Sequence, residues 1–267
     1  MAGRLRLPTR HPRDEARMTI LEHLEELRSR IIKVAVAFVV AAIGAAFFVP
    51  QIFEWLLAPS GLDKLNNLGP AQGLITDVKL VFYVAFLITV PVLLYQAWMF
   101  VAPAVGEVGR VFTYILVALA SSLFLAGVAF GYYVVLPIGL QFLLDYANDR
   151  YNELITTETY LPFVTRFLLA FGIVFELPAA TYVGAKLGLI NASFLKRYRK
   201  HALVVNAVLA TALTPGQDPF SMILMAVPMV LMYELSILIA RFVNPAVVPE
   251  EALPSRLSEE DEEERDL

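Results

Sequence analysis

The chain has 267 residues, of which 58% are hydrophobic and only 17% charged, with a mean hydropathy of +0.65. Soluble domains hold about 45–50% apolar and about 25% charged residues, so this balance excludes an ordinary soluble enzyme and points to the bilayer. The formal net charge of −4 says little about partners, because much of the acid is one run at 259–264 of the kind that forms a solvated tail. There is no cysteine, which rules out structural disulfides and thiolate metal sites.

Residues 1–17, with Arg4, Arg6, Arg10, Arg13 and Arg17, are expected to form a disordered cytoplasmic tail. In the next segment Ile20, Leu24, Leu27 and Ile31 recur on one helical face. A helix is therefore expected to lie at, or rise from, the inner membrane surface, with Glu22, Glu25 and Glu26 toward water. Acids are unusual where basic residues are the rule. On periodicity alone, pairing of Glu26 with Arg30 at i, i+4 accounts for them. The apolar run at 31–49 is long enough to span, so it is not read as a cleaved signal peptide.

A hydrocarbon core about 30 Å thick needs roughly 20 apolar residues in a helix. Six stretches approach that length: 31–49, 80–102, 111–136 with apolar character running on to Leu144, 162–185, 202–213 and 220–240. The predicted fold is all-α: a polytopic integral membrane protein with six transmembrane helices, both termini inside, within a membrane domain at 18–243. The fifth stretch would be about 18 Å long at about 1.5 Å per residue, short of the hydrocarbon thickness. Thr214, Pro215, Gly216, Gln217, Asp218 and Pro219 form a dense turn signal joining the last two spans. An acidic tail at 244–267, also expected to be disordered, closes the chain.

Orientation follows from the basic residues. The inward segments hold 17 of the 21 Lys and Arg, leaving Lys64, Lys79, Arg150 and Arg166 outside. Two long outward loops, 50–78 and 145–160, would form periplasmic caps, with a short helix at 53–58. Pro91, Pro137, Pro178 and Pro228 fall within or near spans. They favour kinks that would let the helices form a concave bundle, with ordinary bundle packing as the plainer reading. No internal repeat of the kind common in secondary transporters is evident.

Three features carry potential chemistry. Glu176 lies near the middle of the fourth span, where an acid costs a few kcal/mol unless protonated, paired or facing water. It marks a functional cavity, with Gln96 as a possible polar neighbour, unless it only bonds backbone groups freed by Pro178. The aromatics of Tyr95, Trp98 and Phe100 would alone be interfacial anchors. His11, His23 and His201 are widely separated and outside the spans, which argues against a metal site, and no cofactor motif is present.

Taken in order, four motifs resemble those of the TatC family, the polytopic receptor subunit of the twin-arginine protein translocase. They are His23-Leu24-Glu25-Glu26-Leu27-Arg28, the Pro91 to Ala104 stretch with its Tyr-Gln-x-Trp-x-Phe-x-Ala-Pro core, Phe171-Gly172 through Phe175-Glu176-Leu177-Pro178, and Leu213-Thr214-Pro215 followed by Asp218 and Phe220-Ser221. The resemblance covers roughly residues 18–243. It implies a non-enzymatic protein of the bacterial cytoplasmic membrane. Such a protein binds Arg-Arg signal peptides of folded cargo and, with single-span TatA- and TatB-type subunits and as a homo-oligomer within the receptor complex, starts their export using the proton-motive force. It implies Glu26 as the carboxylate facing the arginine pair, with His23, Leu27 and Arg28 shaping the same surface, and Phe100 and Pro103 as part of the inner loop site. Glu176 would be the membrane-embedded acid at the partner site and Asp218 the acid of the last outward loop.

One departure stands out. The family's second signal-binding acid aligns with Gly109, whereas the nearest acid is Glu107, flanked by glycines that permit unusual backbone angles. Glu107 would substitute through a rearranged loop, and two adjacent guanidinium forks do need at least two nearby acids. An exposed ion pair contributes only about 0–1 kcal/mol, so affinity must also come from an apolar peptide stretch lying along the helices. A proton-coupled solute transporter using Glu176, or an assembly scaffold, are the competing readings.

Overall fold

The computed structural model describes residues 20–105, 110–148, 154–213 and 219–243. Both expected tails and the turn at 214–218 lie outside these residues. The regular elements among the described residues are helices, with one isolated parallel bridge between Asn66 and Thr156. They fall into two compact units, divided between Ile173 and Val174.

The first unit begins with α1, Ile20–Ala46, a single helix of 27 residues. The amphipathic segment and the first apolar run are thus one continuous rod. Hydrogen bonds from the amides of Phe47 and Phe48 back to Gly44 and Ala45 turn the chain into α2, Val49–Leu57, with Pro50 in its first turn, where a missing amide costs nothing. A short 3-10 turn, Ala58–Ser60, ends at Gly61, whose φ of 68° is the left-handed geometry that glycine adopts without strain. The helix expected at 53–58 is therefore present but starts four residues earlier.

Helix α3, Gln72–Val105, has 34 residues and starts well before the apolar run at Leu80. The Gln72 side chain reaches back to accept from the amides of Leu68 at 2.6 Å and Gly69 at 3.3 Å, which ties the loop leading into α3 to the helix start. Helix α4, Arg110–Phe130, leads through a π-helical segment, Gly131–Val135, into α5, Leu136–Asn148. The wide turn comes just before Pro137, which lacks the amide that an α-helix needs there. Helix α6, Thr157–Phe175, completes the unit.

Packing in this unit relies on close approach of small residues, since lipid tails remove the hydrophobic drive between helices. Ala85 and Val164 are fully buried, and Gly172 sits so near the Phe124 ring that a Cβ would lie 2.5 Å from it. The loops at 61–71 and 154–156 and the helix starts beside them are tied by hydrogen bonds across long sequence distances, most of them neutral, with Gln72 donating to the Glu158 carboxylate at 3.1 Å. Asn66 donates its amide to the Ile155 carbonyl at 3.0 Å, and Thr157 returns an amide to Asn66 at 3.1 Å. The hydroxyls of Tyr132 and Tyr160 donate to the carbonyls of Trp55 and Leu56 at 2.6 and 2.9 Å, with Trp55 stacked on Tyr132. Together these bonds form a cap.

The second unit holds α7, Leu177–Lys186, α8, Ala192–Arg197, α9, Arg199–Leu213, and α10, Pro219–Val243. Helix α10 packs against α7, α9 and α8, with Ala192, Leu195, Ile237 and Ala240 forming a small core. Asn191 caps α8 by accepting from the Phe194 amide at 2.7 Å. Glu234, the acid of the last apolar run, pairs with Arg199 at 2.5 Å.

Among the described residues, five helical stretches are long and apolar enough to cross a bilayer, the fourth running from Thr157 to Lys186. The expected fifth span is not among them. Helix α9 has 15 residues, about 22 Å of rise, because the chain breaks at Tyr198 before it. Rows of exposed apolar side chains such as Ile32, Val36, Val40 and Ile43 on α1 would be costly in water and fit a lipid surround. Of the four prolines expected to kink spans, Pro137 follows the π segment and Pro178 the break at Glu176, while Pro91 and Pro228 sit inside uninterrupted helices.

Candidate functional site

The spacing of His23, Glu26, Leu27 and Arg30 places all four on one side of α1, facing α3. Arg30 is the hub. Its Nε donates to Glu26 Oε1 at 3.0 Å, and its Nη2 donates to the same oxygen. From the other helix, Gln96 Oε1 accepts from Nη1 at 3.2 Å and the Met99 carbonyl accepts from Nη2 at 3.1 Å. Both members of the Glu26–Arg30 pair are largely covered, at 20% and 15% exposed.

The second carboxylate oxygen has a different setting. Glu26 Oε2 is shielded from solvent and accepts no hydrogen bond from any described residue, with His23 Nδ1 nearest at 3.6 Å. The His23 ring stacks on Phe100 at 4.1 Å between centroids and 14° between planes, which holds the start of α1 against the end of α3. Arg28 points away and is exposed, as are Glu22 and Glu25.

Below this cluster an apolar groove of about 560 Å³ runs between α1 and α3, lined by Leu27, Val34, Phe38, Phe86, Leu93 and Phe100. Arg30 and Gln96 stand at one end of it. The arrangement offers an acceptor of positive charge at the head of a channel for hydrocarbon, the two halves of an amphipathic peptide's chemistry. A second cavity of about 590 Å³ opens beside the cap among Lys64, Gln141 and Asp145, where no sequence motif falls.

A family model described as "TatC: Sec-independent protein translocase protein (TatC)" matches residues 22–228. The chain belongs to the TatC family. Its relatives include the Sec-independent protein translocase protein TatC of Carboxydothermus hydrogenoformans, 39% identical over 85% of this chain and 95% of that one. The TatC of Helicobacter pylori strain J99 is 40% identical over 84% of this chain and 89% of its own. A crystal structure of the twin-arginine translocase receptor TatC is 35% identical, with a TM-score of 0.76 over 83% of this chain and 99% of that chain. This chain is thus a multi-pass membrane protein of the TatC family.

The TatC motifs are not all gathered at one place. The structure brings His23, Glu26, Leu27 and Phe100 together with Gln96. Pro103 lies in the last turn of α3, while Glu107, Gly109 and Asp218 fall outside the described residues. Glu176 belongs to the second unit, half-buried at the break that opens α7, with its carbonyl accepting from the Ala180 amide at 2.8 Å. Gln96 belongs to the first unit, where its side chain serves Arg30.

Sequence reasoning paired Arg30 with Glu26 but missed its reach across to α3. Two signals pointed that way. Gln96 is a polar residue in an otherwise apolar stretch, and Pro103 stands four residues after Met99, where it removes the amide that would have bonded the Met99 carbonyl. That carbonyl is the one Arg30 satisfies.

Proposed function

We propose that this chain is the receptor subunit of a bacterial twin-arginine translocase, which binds the Arg-Arg signal peptide of folded proteins at its cytoplasmic face. The observation that carries the reading is Glu26 Oε2, a shielded acceptor without a hydrogen-bond donor among the described residues, standing beside the head of the α1–α3 groove. A guanidinium donates to such an oxygen through a charge-assisted bond. The apolar stretch that follows in an export signal would fill the groove, at about 0.8 kcal/mol per buried CH₂. Acids supply the choice of ligand and the groove supplies the holding strength.

In this reading the chain crosses the inner membrane six times with both termini in the cytoplasm, α9 being the short fifth span. The mismatch between its length and the hydrocarbon thickness thins the bilayer at that edge and recruits a single-span partner subunit beside Glu176. The proton-motive force drives passage once cargo, receptor and partners have assembled. Glu107 takes the role of the second acid, and Asp218 belongs to the last outward loop.

Photo-crosslinking an Arg-Arg signal peptide to probes at positions 26, 100 and 107 tests the site. Labels at 26 and 100 are expected, and a label at 107 supports the substitution of Glu107 for the missing acid. No label at 26 or 100, or undiminished peptide capture by a correctly inserted Glu26→Lys variant, overturns the reading.

A further inference from the structure

Arg30 is a cation within hydrogen-bonding distance of the very carboxylate assigned to receive cations, and its effect on capture has two opposite possible signs. As a competitor it would have to leave Glu26 before a peptide arginine bound. As a support it would stay and hold the acid in place. The geometry decides between them.

A carboxylate offers about four lone-pair sites on two oxygens. Arg30 fills one oxygen, Oε1, with two N–H groups and leaves Oε2 untouched. Two more of its five N–H groups are committed elsewhere, to Gln96 Oε1 and the Met99 carbonyl. The latter has no helical partner, because the residue four positions on is Pro103, which has no amide to donate. Departure of Arg30 would strand a helix carbonyl and an amide oxygen in a largely covered site, whereas with Arg30 in place an incoming arginine has only to displace the cover over Oε2, whose lone pairs are unused. A glutamate on an open helix face would also lose rotamer freedom on binding, and here that freedom is already spent.

Resting on the signal-peptide reading above, we propose that Arg30 is a positioning residue for capture: a fork anchored on α3 by Gln96 and by the carbonyl that Pro103 leaves free clamps Oε1 of Glu26 and presents Oε2 to the peptide's arginine pair. Pro103 and Gln96 then act through Arg30, on the receptor's affinity and not on its fold alone. Lysine cannot replace Arg30, since a point charge on a flexible stem lacks the planar set of donors that grips two helices at once.

The test uses the full chain in lipid nanodiscs, with dissociation constants for synthetic signal peptides carrying Arg-Arg or Lys-Lys and with thermal melting as the control for folding. Arg30→Lys is expected to weaken Arg-Arg binding about tenfold, leave the weak Lys-Lys binding nearly unchanged, and so shrink the discrimination between them while melting stays as in the parent. Unchanged or tighter Arg-Arg binding by Arg30→Lys overturns the proposal, tighter binding identifying a competitor. If Arg30→Lys fails to melt cooperatively, Gln96→Leu and Pro103→Ala decide, because both keep Arg30. Each should weaken Arg-Arg binding about threefold, and parental affinity in both overturns the proposal. Glu26→Gln separates the layers: parental affinity there removes the signal-peptide reading itself, whereas a weakened Glu26→Gln beside a parental Arg30→Lys removes only the role of Arg30.

Discussion

The first unit closes itself with polar bonds in two regions, and the two are built differently. In the cap, bonds run between segments about ninety residues apart, from Asn66, Asn67 and Gln72 to Ile155, Thr157 and Glu158, and most are neutral, with backbone groups in most of them. Tyrosine hydroxyls finish the closure by bonding carbonyls at the end of α2. In the α1–α3 cluster the bonds are charged and carried by side chains, and one carboxylate oxygen is left over. A region whose members are mutually paired is built to persist. A region with a shielded acceptor to spare is built to receive something.

That contrast breaks most sharply at Glu26. Glu26→Lys is expected to weaken Arg-Arg peptide binding at least about thirtyfold, because it puts a cation where a charge-assisted bond formed and sets it against Arg30. Equilibrium titration in nanodiscs reads this, and the same variant should leave proteolytic protection of the cap untouched. If binding and cap protection fell together, the two regions would be one cooperative structure and the contrast would be lost.

Next in size is Gly172→Ala, which leaves both polar regions intact. Its Cβ would press on the Phe124 ring, itself only 2% exposed, so the overpacking should cost about 1–3 kcal/mol and lower the melting temperature. Peptide affinity of the folded fraction should not move. Tyr160→Phe probes the cap directly: it removes the donor to the Leu56 carbonyl at a cost of about 1 kcal/mol, again with no change in peptide affinity. The smallest effect is expected from Gln72→Ala, where loss of exposed bonds to the amides of Leu68 and Gly69 and to the Glu158 carboxylate should cost about 0.5 kcal/mol. Amide exchange should then speed up at the start of α3 and around Glu158, and faster exchange at Tyr132 would show that this end supports the whole cap.

Much of this architecture was legible in the residues. The apolar runs located the long helices, because a helix in lipid must satisfy its own backbone and announces itself by composition. The i, i+4 spacing of Glu26 and Arg30 foretold their pair. Caps were expected from the two loops, but their pairing with each other was not legible, since Asn66, Thr156 and Thr157 carry no periodic signal and meet only when distant segments fold together. Helix ends slipped too: Gln72, eight residues ahead of the apolar run, opens α3 because its side chain makes a helix start that hydropathy does not register. The sequence reads the last stretches as two spans, whereas α9 has 15 residues and is not among the helices long enough to cross.

The π-helical segment at Gly131–Val135 changes how this part of the molecule can be probed. One extra residue in a turn advances the phase of every later side chain by about 100°, so a helical wheel drawn straight through 111–148 assigns the wrong face to everything beyond the insertion. A scan of spin labels or accessibility reagents along this rod should show its periodic pattern jump at that point, and probe pairs chosen on either side need separate registers.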